Sequence, residues 1–199
     1  MSIKKLVQSS YDKIGHMYDE HRDIHKIDKE LQMFLEVLPE NAYVLDAGSG
    51  AGRPTSDFLT KNGINVMGID ISEKMINLAK VNVPKAEFQQ GDMKDLKFPP
   101  ETFDGVISLF SLFHVPREKH EQVLRGFQKI LKKGGTLLIN TGTTAHEGIT
   151  RFFGEPMFWS NYDPKITLRI VKMLGFQIIM EGKLFRGGEV QYWIFAKKM

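Results

Sequence analysis

The stretch VLDAGSGAGRP, Val44 to Pro54, decides the fold. An apolar run ends in Asp46, and glycines follow at positions 48, 50 and 52. A glycine turn after a strand lets a ligand approach the backbone closely, and such turns usually cradle phosphates. Here the spacing departs from the dinucleotide fingerprint Gly-x-Gly-x-x-Gly. Arg53 takes the place of the third glycine, and Gly52 falls one position early. No Gly-Lys-Ser/Thr follows, so the nucleoside-triphosphate loop fails as well. Asp46 would repel a pyrophosphate lying against this turn. It suits a ligand that carries positive charge there.

Outward from the loop, strand-like runs alternate with helical stretches. AYVLDAG, INVMGID, AEFQQGD, TFDGVISLF and GTLLINTG read as strands, and TSDFLTKNG, SEKMINLAKV and REKHEQVLRGFQKILKKGG as helices. That alternation predicts a parallel sheet with helices on both faces. Ser72 before Glu73 marks a helix start, and KKGG places cations and Gly134 at a helix end. DPKITLRIVKMLGF reads as a helix capped by Asp163 with Pro164 in its first turn. QIIMEGKLF and EVQYWIFAKK, around RGG, read as a terminal hairpin. Residues 1 to about 38 read as a polar helical arm, 39–145 as the binding core, and 146–199 as an aromatic insert, a helix and the hairpin. No internal repeat or long linker divides the chain, which reads as one domain.

The bulk numbers narrow the function. The chain has 199 residues, enough for one domain with its own core, and 42% hydrophobic against 26% charged residues argues against disorder. The net charge of +3 comes without a dense Lys/Arg run, which speaks against nucleic-acid partners. With no cysteine, disulfides, thiolate metal sites and cysteine nucleophiles are excluded. The first residues lack a signal-peptide core and no run reads as a membrane span, so a cytoplasmic protein is expected.

VLDAGSGAG resembles the first motif of the class I S-adenosylmethionine-dependent methyltransferases, of the small-molecule, type 11-like kind. That motif is an acidic residue followed by Gly-x-Gly-x-Gly. The resemblance extends over roughly residues 40–141, in order and in strand-end placement. It implies a Rossmann-like, seven-stranded, mostly parallel sheet with an antiparallel last strand. It also implies S-adenosylmethionine as cofactor, S-adenosylhomocysteine as product, and a small-molecule acceptor.

The resemblance carries over to individual positions. Gly48, Ser49, Gly50, Arg53 and Pro54 belong to the loop, with Asp46 organising the site for the cationic amino-acid end. Asp70, 24 residues after Asp46 and at a strand end, is placed to take two hydrogen bonds from a ribose diol. Ile71 and Met75 lie beside the adenine. Asp92 resembles the residue contacting the adenine amino group, with Met93 alongside, and Leu109 and Phe110 follow strand four. Tyr11 and Tyr18, seven apart and so on one helical face, resemble an arm folded over the methionine end. The other reading is that they only pack the arm down.

On the acceptor side, His114 could serve as a general base near neutral pH or be purely structural. The aromatic segment FFGEPMFWSNYD offers Phe152, Phe153, Phe158, Trp159 and Tyr162 as an acceptor wall, or else as an edge-packed loop. Trp159 and Tyr162 are the expected substrate contacts, and Tyr18 joins His114 as a candidate catalytic residue. No Asn/Asp-Pro-Pro-aromatic signature follows strand four, and base or glutamine amino acceptors lose support. His21 and His25 are one turn apart, but Arg22 stands where a zinc protease needs Glu, so no metal is expected. Two other readings remain: a non-catalytic S-adenosylmethionine-binding module and a nucleotide-dependent oxidoreductase.

Overall fold

The structure, a computed structural model, describes residues 1–21, 27–186 and 188–199. Arg22 and His25 of the histidine pair considered above lie outside the described residues. Seven strands form one sheet: β1 (Tyr43–Ala47), β2 (Asn65–Asp70), β3 (Glu87–Gln90), β4 (Phe103–Ser108), β5 (Leu131–Thr141), β8 (Phe176–Arg186) and β9 (Glu189–Lys198). Their order is β3-β2-β1-β4-β5-β9-β8. The first five run parallel, and β9 lies antiparallel between β5 and β8. The strand order reverses between β1 and β4. The carboxyl ends of a parallel sheet open into a crevice at such a switch point.

Strand alternation sorts side chains into two cores. Leu45, Leu137, Ile139, Ile194 and Ala196 face one side, with Val123, Leu124 and Phe127 of helix α5 (His120–Ile130) and Val171 of helix α6 (Pro164–Met173). Val44, Leu138, Trp193 and Phe195 face the other, with Leu31 and Phe34 of helix α2 (Asp28–Glu36) and Leu59 of helix α3 (Thr55–Lys61). Covered on both faces, the central strands read as nearly continuous apolar runs. Helix α4 (Glu73–Asn82) starts as expected: the Ser72 hydroxyl accepts from the Met75 amide at 3.1 Å. Asp163 likewise caps α6, accepting from Lys165 N at 2.9 Å.

Three expectations change. Helix α5 ends at Ile130 rather than at Gly134, because Leu131 is fully buried and pairs with Phe103, so the chain has already entered the sheet. The arm expected over residues 1–38 is two different things. Helix α1 (Ile3–His21) lies over the carboxyl ends of the sheet, whereas α2 is core, its Phe34 ring filling the space a side chain at Gly105 would need. The aromatic insert is a two-stranded hairpin, β6 (His146–Phe152) and β7 (Glu155–Asn161). Phe153 and Gly154, both with positive φ, form its two-residue turn. Among the described residues, no helix is long and apolar enough to cross a membrane.

Candidate active site

The glycine loop fastens the end of β1 to the end of β2. Gly48 N and Ser49 N donate to the Ile69 carbonyl at 2.8 and 2.9 Å, and Gly50 N donates to Asp70 Oδ2 at 3.0 Å. Gly48 has φ +82°, and a Cβ there would stand 2.3 Å from Ser111 Cβ, so the turn after β4 closes directly onto it. Ser111 and Ser108 hydroxyls both donate to the Ala47 carbonyl, at 3.0 and 2.9 Å.

Asp70 sits where the crevice opens. Besides Gly50 N, it accepts from Ser72 N at 2.9 Å, yet burial raises its pKa from 3.8 to about 6, with nearby Asp12 adding to the rise and these amides opposing it. A carboxylate held by backbone but short of solvent retains acceptor capacity for further donors.

Asp46, expected to organise the site for the cationic amino-acid end, stands at the base of the loop. It is buried, 3% exposed, and accepts from the Ser56 hydroxyl of α3 at 2.7 Å. It lies beneath the loop and does not line the crevice. Its carboxylate ties the loop to the helix that follows.

Two cavities meet here. The first is lined by Gly48, Gly50, Asp70 and Ile71, then Asp92 and Met93, then Leu109, Phe110, Ser111 and His114. Helix α1 roofs it with Lys4, Val7, Tyr11 and Tyr18. The roof is built by helical spacing: Val7, Ser10 and Ile14 bury one face of α1, on which Val7 and Ile14 pack against Met157 and Phe158 of β7. Ser10 donates to the Pro156 carbonyl at 2.6 Å. Polar contacts pin both ends of the roof. Lys4 Nζ is 3.1 Å from Asp92, Asp12 accepts from the Ser72 hydroxyl at 2.6 Å, and Asp19 pairs with Arg53.

The second cavity, about 330 Å³, lies between α1 and the β6–β7 hairpin. Tyr18, Phe113, Phe152, Phe153 and Trp159 give it aromatic walls, and Pro54, His21, Ile27, Gly188 and Glu189 also line it. Trp159 pairs with Gly148 in the hairpin, and its indole N–H donates to Thr150 Oγ1 at 2.8 Å. Tyr11, Tyr18, Phe110 and His114 line both cavities and form the wall between them.

That wall is stiffly held. His114 Nδ1 donates to the Phe158 carbonyl at 2.8 Å, which leaves Nε2 to accept from the Tyr11 hydroxyl, also at 2.8 Å. Burial pushes the His114 pKa down to about 4, so the ring is neutral at pH 7. Phe110 has φ +54°, and its amide donates to Asn140 Oδ1 at 2.6 Å. The Tyr11 and Tyr18 rings meet edge to face at 5.6 Å, and Tyr18 continues to Phe152 at 5.8 Å.

Several expected contacts are not brought to the first cavity. Met75 is buried behind the site, Ser49 is buried with its hydroxyl unpartnered, and Arg53 is taken up by Asp19. Pro54 and Trp159 belong to the second cavity. Phe158 is buried against Val7 and Ile14 instead of lining a wall. Tyr162 lies away from both cavities, edge-on to His120 at 6.0 Å and beneath the Arg117 guanidinium. His21 is exposed and lines the second cavity. Sequence reasoning missed Lys4 and Val7, whose helical register with Tyr11 was the available signal. It also missed Glu189, for which no local signal existed.

Comparison with known proteins places these observations in a family context. The family described as "Methyltransferase domain" matches residues 45–139. An uncharacterized methyltransferase of Synechocystis sp. is 27% identical over 158 residues, covering 74% of this chain and 72% of that protein. The 27-O-demethylrifamycin SV methyltransferase of Amycolatopsis mediterranei is 36% identical over 102 residues, 48% of this chain and 37% of that protein. The chain therefore spans well under half of the rifamycin enzyme's length. A solved structure described as a SAM-dependent methyltransferase from Methanosarcina mazei superposes with a TM-score of 0.74 at 23% identity, over 84% of this chain and 97% of that one. It shares the fold.

Proposed function

We propose that this chain is a class I S-adenosylmethionine-dependent methyltransferase, a reading supported by the match of residues 45–139 to a methyltransferase domain, and that it transfers the methyl group to a small organic acceptor held in the second cavity. One observation carries this reading: two cavities share a single wall of Tyr11, Tyr18, Phe110 and His114. A cofactor in one cavity and an acceptor in the other would come into direct contact where the two cavities adjoin, beside these residues. A module that only binds the cofactor has no need of the second space.

The residues of the first cavity fit S-adenosylmethionine. Asp70 retains acceptor capacity for a ribose diol, and Ile71, Met93 and Leu109 offer apolar surfaces for a flat base. Among the described residues, the cation at the glycine loop is Arg53, and it is paired with Asp19. The cofactor supplies a methyl group already activated on a positively charged sulfur. What the chain must provide is alignment and exclusion of water. The aromatic wall does both, and its ring faces attract positive charge. His114 acts here as a positioning residue: with Nε2 filled by the Tyr11 hydroxyl, it fixes the roof tyrosine in place.

The Asp70 pKa gives this reading a pH signature. A ribose diol donates to the ionised carboxylate, so binding is complete above about pH 7 and weakens as pH falls through about 6. Affinity for adenosine, which lacks the amino-acid end, is expected to drop about tenfold per pH unit below that point. Asp70→Asn should bind weakly and flatten the profile. Stability moves the other way: the raised pKa means that Asp70 favours the folded chain most below 3.8, and this contribution is lost as pH rises to about 6. Calorimetry between pH 5 and 8 reads the first effect.

The acceptor class is tested by incubating the protein with methyl-labelled S-adenosylmethionine and fractionated cell extract. Label is expected in the small-molecule fraction. Label in RNA or protein would contradict this reading.

A further inference from the structure

We propose that Asn140, which lines neither cavity, is a positioning residue for the site: its amide oxygen holds Phe110 in a left-handed backbone conformation and so sets the place where the two cavities adjoin. The inference rests on the methyl-transfer reading above and adds to it a residue that keeps the shared wall in register.

Phe110 stands at the joint of the site. Strand β4 ends at Ser108, and the chain must then turn into Ser111, whose hydroxyl donates to the Ala47 carbonyl at 3.0 Å. Phe110 makes that turn with φ +54°. A residue with a Cβ resists the left-handed region, whereas glycine adopts it freely. The other described non-glycine residues of positive φ, Asn41, Glu101 and Phe153, are exposed. Phe110 is half-buried and carries the same conformation inside the site, with a large ring that lines both cavities. Backbone strain of this kind persists only where the surroundings fix it.

The surroundings that fix it belong to the sheet. Leu137, Leu138 and Ile139 of β5 are buried and apolar, and Asn140 follows them with no exposure at all. A carboxamide in such a run is costly unless it hydrogen-bonds. Its oxygen accepts the Phe110 amide at 2.6 Å. An apolar side chain would serve the core equally well at this position, but it could not accept that amide.

The neighbouring strand completes the seat. Asn140 pairs with Trp193 across β5 and β9, and the Trp193 indole meets the Phe110 ring edge to face at 6.0 Å. Two residues in register thus hold Phe110 by its main chain and by its ring. Both are fully buried in the middle of the sheet, where position is more exactly kept than in a loop. In-line transfer across adjoining cavities depends on such exactness, because a shift of about 1 Å in a wall can cost a hundredfold in rate.

The test is a double-mutant cycle read by calorimetric affinity for S-adenosylhomocysteine, with a thermal melt on each protein. Asn140→Leu removes the acceptor oxygen at nearly constant side-chain size, and is expected to weaken the ligand about tenfold. Phe110→Gly removes the need for the seat, since glycine takes this turn without strain. In the Phe110→Gly background, Asn140→Leu should therefore change affinity by less than about twofold. The loss of the ring is common to both proteins of that pair and cancels. If Asn140→Leu does not fold, Asn140→Ser, whose oxygen lies one bond nearer the backbone, replaces it in both backgrounds.

A purely structural Asn140 would lower the melts and leave affinity alone, or would weaken the ligand equally in both backgrounds. Either result overturns the inference. Titration of the unaltered chain separates the two levels. If S-adenosylhomocysteine does not bind it, methyl transfer falls too; if it binds and the cycle shows no coupling, only the role of Asn140 falls.

Discussion

Asp70→Ala is expected to weaken S-adenosylmethionine binding by about a hundredfold, with little change in thermal stability. Two hydrogen bonds from a ribose diol to an ionised carboxylate contribute about 1.5–3 kcal/mol each in a sheltered site, and 1.4 kcal/mol is about tenfold in affinity. Removing the carboxylate also leaves the Gly50 and Ser72 amides without their acceptor, so part of the effect passes through the glycine loop. Stability is spared because the folded chain already bears the cost of a buried, poorly solvated acid, seen in its raised pKa. Calorimetry for binding, with a thermal melt alongside, separates the two. Full affinity in a folded Asp70→Ala protein would remove the ribose from this place in the site.

Gly48→Ala should act in the opposite manner, through structure first. The added Cβ would stand 2.3 Å from Ser111 Cβ and 2.7 Å from its hydroxyl, on a backbone with φ +82°. Left-handed strain of about 1 kcal/mol and overpacking of about 2 kcal/mol combine to a loss of roughly 3 kcal/mol, or a fall in Tm of about 10 °C. Ser111 opens the turn that carries Phe110 and His114, so its displacement moves the wall between the cavities, and cofactor binding is expected to fall more than tenfold. Gly63→Ala is the control. It has φ +80° with nothing within 4 Å of the new Cβ, so it should show the backbone strain alone. Equal melts for the two variants would mean that Ser111 yields freely and that the loop is less tightly closed than described.

How much of this was legible in the sequence varies with the range of the forces involved. The parallel sheet was readable because each central strand is buried on both faces and announces itself as an apolar run. Local chemistry also marked Ser72 and Asp163 as helix caps. The end of α5 was not readable in the same way. KKGG has the composition of a helix terminus, but the pairing of Leu131 with Phe103 across the sheet decides where the helix stops. Asp46 shows a related limit. Its type and place fit a role toward a ligand, whereas its hydrogen bond with Ser56, ten residues on, shows only in the fold.

The candidate site divides similarly. Asp70, Ile71, Asp92, Met93, Leu109 and Phe110 follow strand ends, so their arrival at one crevice comes with the topology. The second cavity depends on contacts between distant segments: α1, the β6–β7 hairpin and the β8–β9 turn. Trp159 was singled out by composition, yet Tyr162, three residues on, faces away because the hairpin ends at Asn161 and the chain turns toward α6. Glu189 enters the site from nearly the far end of the chain, and nothing in its neighbourhood pointed to a cavity.

The most direct measurement is a side-by-side calorimetric titration of the protein with S-adenosylmethionine, S-adenosylhomocysteine and NADH. The account predicts saturable, one-to-one binding of the first two and none of the third, because the loop offers glycine backbone and Asp70, and its Arg53 is taken up by Asp19. Binding of NADH with neither sulfur ligand bound would contradict it, and the site would then have to be read as a dinucleotide crevice.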